Sequence, residues 1–213
     1  MNINKYLRCK SLFFFIVSIV SLSGYTQKNY QISFEEEVVY IVARSTQSKE
    51  GLVASNFNIK DKVLSHIGIG YVEDNELMIY NISNYRVDRK GSSLLKETLH
   101  EFTSEKSTVY FSVWKYKPNK RDFITLKRKL TGMLSETLSF DNEFTLDNED
   151  LYCSEFVFNI LNDLNLTSFK PVKKNLGMMY SLALGRKTLV YIPVDFFLSE
   201  EKFKFIYEEV LNN

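Results

Sequence analysis

The chain predicts an α+β fold in which helices pack on a mostly antiparallel sheet, and three features carry that expectation. Short β-branched and aromatic runs recur along it, longer stretches place apolar residues at helical spacing, and tight polar turns join neighbouring runs. With 213 residues, 45% of them hydrophobic, it is long enough to bury one core without disulfides or metals. Its 17 Phe and 13 Tyr against 8 Gly and 3 Pro exclude a disordered or low-complexity chain.

The elements follow in order. Glu37 to Ala43 (EVVYIVA) is the β-branched, aromatic run of a largely buried strand. Ser65 to Val72 (SHIGIGYV) is a second strand and Glu76 to Ile82 (ELMIYNI) a third, with Asp74-Asn75 turning the hairpin between them. Leu94, Leu95, Leu99 and Phe102 fall at helical spacing and predict a helix within residues 92–105. Ser107 to Tyr116 (STVYFSVWKY) alternates as a strand does. Phe123, Leu126, Leu130, Met133, Leu134 and Leu138 share one helical face. Asp141 to Asp150 reads as a polar, acidic loop and Leu151 to Leu164 as an amphipathic helix. Thr188 to Ile192 is a strand stopped by Pro193, and Glu200 to Leu211 is expected to close the chain as a helix.

Residues 1–26 differ in kind from the rest. Lys5, Arg8 and Lys10 form a positive head, Ser11 to Leu22 an apolar run, and Ser21-Leu22-Ser23-Gly24 a small-residue exit. A spanning helix needs about 20 apolar residues. The run is shorter, so the segment reads as a secretory signal cleaved between roughly residues 23 and 27, leaving 27–213 as a single exported domain. The alternative is an uncleaved membrane anchor. Cleavage would remove three of the 27 basic residues, Cys9 and none of the 26 acidic residues, and the mature chain would be slightly acidic.

Charge and ligand supply narrow the function further. A net charge of +1 offers no basic excess for nucleic acid. Two Cys and two His are too few for a zinc-finger or cluster scaffold, and nothing calls for a metal or another cofactor. Lys127-Arg128-Lys129 reads as a solvated helix face, and after cleavage no second basic amphipathic segment suits a lipid surface.

Cys153 would be the only thiol of the exported chain, and an unpaired thiol in an oxidising compartment is a hazard unless buried or used. It is expected about one turn into its helix, with Asn148 or Asp150 as N-cap. Unpaired amides at a helix start stabilise a thiolate and a developing oxyanion. Val157, Ile160 and Leu164 follow it at helical spacing, so it also reads as a small buried apolar residue. His66 sits in an otherwise apolar strand, where packing competes with catalysis as the explanation. A thiol hydrolase needs both groups: the imidazole takes the thiol proton and returns it to the leaving group. Asn81, on the paired strand, is chemically suited to hold the far imidazole nitrogen, although it also reads as a polar residue near a turn. His100 reads as a surface residue.

Around these residues the sequence resembles a known family. Leu151-Tyr152-Cys153-Ser154-Glu155-Phe156-Val157 resembles the signature of the YiiX-like permuted papain-like amidases, within the NlpC-type cysteine hydrolase superfamily. Ser65-His66-Ile67-Gly68-Ile69 looks like the family's His-bearing strand. Phe140-Asp141 with Phe144, and Ile192-Pro193-Val194-Asp195, look like two further family segments. His before Cys is the order of the circular permutation. Asn81 stands where many relatives place an acidic residue, and Glu36-Glu37 where they carry Gly-Asp. The resemblance implies a permuted papain-like fold, Cys153 as nucleophile, His66 as base, Asn81 as orienter, and Tyr152 and Ser154 at the oxyanion or substrate site. It also implies amide hydrolysis without a cofactor. A peptide-like substrate, such as a peptidoglycan stem peptide, is expected ahead of an acyl lipid, and an inactive binding module stands as a third reading.

Overall fold

The computed structural model describes Tyr30, residues 32–105 and residues 107–211. The predicted secretory segment, residues 1–26, lies outside the described residues. The chain runs β1 (Val39–Thr46), α1 (Lys49–Asn56), β2 (His66–Glu73), β3 (Glu76–Ile82), β4 (Leu94–Thr98), α2 (Leu99–Thr103) and β5 (Thr108–Tyr116). Then come α3 (Lys120–Met133), α4 (Cys153–Asp163), β6 (Val172–Asn175), α5 (Met178–Leu184), β7 (Thr188–Tyr191), a 3₁₀ turn at Phe196–Ser199 and β8 (Lys204–Val210). Six strands form one antiparallel sheet in the order β4-β3-β2-β1-β5-β8, and β6 pairs with β7 in a separate ribbon.

The central strand β1 is buried along its whole length, which explains why it reads as a continuous apolar run rather than an alternation. Val39, Ile41 and Ala43 face a core built with Phe123 and Leu126 of α3 and Phe156 and Ile160 of α4. Val38, Tyr40 and Val42 face a second core with Leu99 and Phe102 of α2 and Phe111 of β5. Helix α4 packs across β2 and β3. Two glycines let β2 and β3 approach: a Cβ at Gly70 would stand 2.1 Å from the Met78 carbonyl oxygen, and one at Gly68 would meet Ile79 Cγ2 at 2.5 Å.

Two expectations are corrected. The apolar spacing over residues 92–105 belongs to two elements, strand β4 and helix α2, joined at Thr98. Thr98 and Glu101 form a capping box that starts the helix there and leaves the preceding leucines to the sheet. The closing segment is not a helix either. After the 3₁₀ turn, residues 204–210 pair with β5 as an edge strand, because Phe205 and Tyr207 sit at strand register beside Trp114 and Val113. Helices α1 and α5 and strand β6 carry too little buried apolar surface to announce themselves in sequence. No helix among the described residues is long and apolar enough to cross a membrane.

Candidate active site

Cys153 is the first residue of α4 rather than one turn inside it, and the N-cap is Tyr152, with no side-chain cap bond from Asn148 or Asp150. The helix start is fixed from elsewhere. Tyr152 accepts a hydrogen bond from the Ile192 amide at 2.7 Å, and Ser154 Oγ donates to the Ile192 carbonyl at 2.7 Å. The two hydroxyls clamp α4 to the chain leaving β7. Cys153 is 8% exposed. Burial pushes its thiol up to about 11, against hydrogen bonds from the backbone amides of Ile67, Ser154 and Cys153 itself. Ile67 is the neighbour of His66, so the sulfur reaches the start of β2.

Sheet register assembles the polar side. Arg44 of β1 stands directly opposite His66 of β2. The pairing of Ile69 with Tyr80 puts Asn81 one diagonal step from His66 on the same face, and that of Asn81 with Leu95 puts Glu97 one step further. His66 Nε2 lies 3.0 Å from Asn81 Oδ1, and Asn81 Nδ2 donates to Glu97 Oε2 at 2.8 Å. Because the Glu97 carboxylate only accepts, it fixes the amide with Oδ1 toward the ring. His66 Nε2 therefore carries the proton and Nδ1 is the free base. Arg86 closes the chain on Glu97 at 2.6 Å. Phe102 stacks on the imidazole with centroids 5.6 Å apart.

Electrostatics keep that ring neutral. Desolvation, then the positive charge of Arg44, lowers His66 to about 3, while the Asn81 hydrogen bond opposes them. His66 as a residue is half-buried. Arg44 is fully buried, donates to the Phe102 carbonyl and to Tyr85 Oη, and pairs with Glu105. The resting pair is thus a thiol and an imidazole.

Two cavities meet at the thiol. A small one of about 70 Å³, with Arg44, Glu50 and His66 beside the apolar Ala54, Phe140 and Phe144, borders Cys153. A larger one of about 210 Å³ is lined by apolar groups from α1, α5 and β7 together with Tyr152, Cys153 and Ser154. Ala54, Phe144 and Cys153 border both. Phe144 holds a left-handed backbone (φ 56°), in a loop closed by Asp141, whose carboxylate accepts from the Glu143 and Thr145 amides.

The structure therefore brings His66 and Asn81 into direct contact and places Cys153 on the same cavity as His66. Tyr152 and Ser154 border the apolar cavity, with their hydroxyls engaged by Ile192. Tyr180 lines that cavity too, whereas Tyr71 and Tyr80 hydrogen-bond each other in the core and border neither cavity. Arg44, Glu97 and Arg86 were not foreseen. Leu94 to Thr98 (LLKET) shows no strand alternation, so nothing in the sequence sets Glu97 apart from a solvated helical charge.

An antiparallel sheet with the His-bearing strand ahead of the Cys-bearing helix defines an α+β protein of the YiiX-like fold. The crystal structure of YiiX from Escherichia coli O157:H7, described as a metalloprotein, matches it with a TM-score of 0.62. The match covers 84% of this chain and 100% of that one at 11% sequence identity. No protein-family model and no curated protein matches the sequence. Among the described residues no group of three or more His, Cys, Asp or Glu is placed to hold a metal ion.

Proposed function

We propose that the protein is an exported thiol hydrolase that cleaves an amide joining an apolar acyl group to a polar amine. One observation supports this above the others: Cys153 borders both an almost wholly apolar cavity and a smaller one that holds Arg44, Glu50 and His66. The acyl part fits the first and the amine the second. The apolar lining favours such an acyl group over the charged stem peptides of peptidoglycan.

In this reading Cys153 Sγ attacks the carbonyl carbon as its proton passes to His66 Nδ1. The Cys153 and Ser154 amides face the developing oxyanion. Collapse breaks the C–N bond, His66 protonates the leaving nitrogen, and a thioester remains on Cys153. Water, deprotonated by His66, then attacks the thioester and releases the carboxylic acid and the thiol. Asn81 holds the ring in one orientation throughout by accepting from Nε2.

The test incubates wild type and Cys153→Ala with long-chain N-acyl amines and, separately, with peptidoglycan fragments. Mass spectrometry of wild-type protein should show an acyl adduct on Cys153, with free amine released by wild type alone. Release from peptidoglycan only would shift the substrate class, and equal release by both proteins would remove the thiol mechanism. No product from either panel would favour the inactive binding module, the reading that the buried, neutral thiol supports. Export is tested by the mass of protein from its native host, where cleavage between roughly residues 23 and 27 is expected.

A further inference from the structure

Helix α5 contributes no buried residue, and Met178, Met179 and Leu182 are 80%, 82% and 76% exposed. Three large apolar side chains in two turns of one short helix do nothing for the fold in water. Yet α5 is anchored to the site: Tyr180, Ala183 and Leu184 line the apolar cavity that Cys153 also lines. Tyr180 packs edge-on against Phe57, with ring centroids 5.2 Å apart, and Lys174 of β6 lies over that same Phe57 ring at 4.7 Å. Apolar helix and basic ribbon therefore adjoin.

Within the segment that carries this protrusion, charge has one sign, although Arg186 reaches the Glu143 carbonyl of the acidic 141–150 loop. Residues 164–194 hold Lys170, Lys173, Lys174, Arg186 and Lys187 and no Asp or Glu, in a chain whose net charge is only +1. Lys170, Lys173, Lys174 and Lys187 are exposed. Exposed apolar side chains on a segment whose charges are all positive fit the boundary between anionic lipid headgroups and acyl chains. The combination is invisible to a helical plot, because the cations lie on the ribbon and the apolar groups on the helix.

We propose that α5 and the β6–β7 ribbon dock the protein on an anionic lipid bilayer, with Met178, Met179 and Leu182 in the acyl region and the ribbon lysines at the headgroups. The docking itself needs no thiol. Its consequence, that an apolar substrate enters the cavity from the bilayer along α5, rests on the acyl-amide reading above.

The test introduces a tryptophan reporter, Met179→Trp, into the full chain, which holds one native tryptophan. Vesicles contain equal parts phosphatidylglycerol and phosphatidylcholine, with and without brominated acyl chains. The reporter should shift to the blue and be quenched by the brominated lipid, while Val210→Trp on the edge strand β8 should not. Lys173→Glu with Lys174→Glu should weaken vesicle binding at least about tenfold, given about fivefold per cation at an anionic surface. Cys153→Ala should dock as wild type does. A Met179→Trp reporter that stays unquenched while the protein sediments with vesicles would overturn the proposal. So would a blue shift that needs protein concentration and no lipid, since a second copy would then cover α5. Docking without acyl-amide cleavage would leave the surface standing and remove only the substrate reading.

Discussion

Asn81 can turn either its oxygen or its nitrogen toward His66, and the Glu97 carboxylate removes that choice by accepting from Nδ2. The ring is left with a proton on Nε2 and a free Nδ1, which is the nitrogen a base needs. Neither partner is charged at rest, because burial pushes Cys153 up to about 11 and lowers His66 to about 3. Alkylation of Cys153 by iodoacetamide should therefore be slow at pH 7, carried by proton transfer to His66 Nδ1, and faster as pH climbs toward about 11, where the thiolate itself forms. His66→Ala should slow it at pH 7, and Glu97→Gln should slow it less, by freeing the amide to turn. A flat, fast rate between about pH 5 and 8 would instead reveal a preformed thiolate–imidazolium pair. Cys153, His66 and Asn81 were legible in sequence because their residue types are rare or out of place where they stand. Glu97 was not, because its role exists only once β4 is paired with β3 in the right register.

Helix α4 carries a second buried acid that the proposed chemistry does not use. Glu155 is 4% exposed, its Oε2 has no hydrogen-bond partner among the described residues, and desolvation, reinforced by Asp141, raises it to about 7 against a bond from the Tyr152 amide. For a carboxyl raised in the folded state, stability is greatest where both states hold the proton, and it falls as pH rises from about 4.5 to about 7. The loss is at most about 3 kcal/mol, from about 1.4 kcal/mol per pKa unit. His66 acts with the opposite sign: its depressed value costs stability as pH falls below about 6.5 toward about 3. Urea unfolding of wild type beside Glu155→Gln isolates the carboxyl, and the variant should lose the decline above pH 4.5 and be the more stable protein at pH 8. Parallel pH curves for the two proteins would show that Glu155 is ionised in the fold. Among the elements, legibility followed burial. The buried β1, β2 and β3 and the one-sided α3 and α4 showed their periods, whereas α1, α5 and β6, with little or no apolar face in the core, showed none. The edge strand β8 looked helical because its exposed charges break the alternation.

At the scale of the whole molecule, one short segment ties the two arms of the site together. Ile192 clamps the start of α4 through Tyr152 and Ser154. The next residues hold the chain that leads into β2: the Val194 amide donates to Asn58 Oδ1 at 3.1 Å, and the Asp195 carboxylate accepts from the amides of Ile59, Lys60 and Asp61. Asn58 in turn donates to the Leu64 carbonyl at 2.6 Å, two residues before His66. Residues 192–195 thus set the start of the cysteine helix against the approach to the histidine strand, which explains why a stretch with no catalytic group forms part of the family resemblance. Asp195→Ala would strand three amides beneath a carboxylate that is 1% exposed in the wild type. Ile59 and Lys60 are exposed and the bonds only part-buried, so water replaces some of them and a loss of roughly 1–3 kcal/mol is expected in urea unfolding. Asp195→Asn keeps one accepting oxygen and should lose about half as much. Val113→Ala, a cavity-forming change in the core under α2, serves as a destabilised comparison. If the segment aligns the two arms, Asp195→Ala should slow Cys153 alkylation under native conditions, while Val113→Ala leaves it near the wild-type rate. An Asp195→Ala protein as stable as wild type, or one that alkylates no more slowly than Val113→Ala, would show that the segment does not hold thiol and imidazole in register.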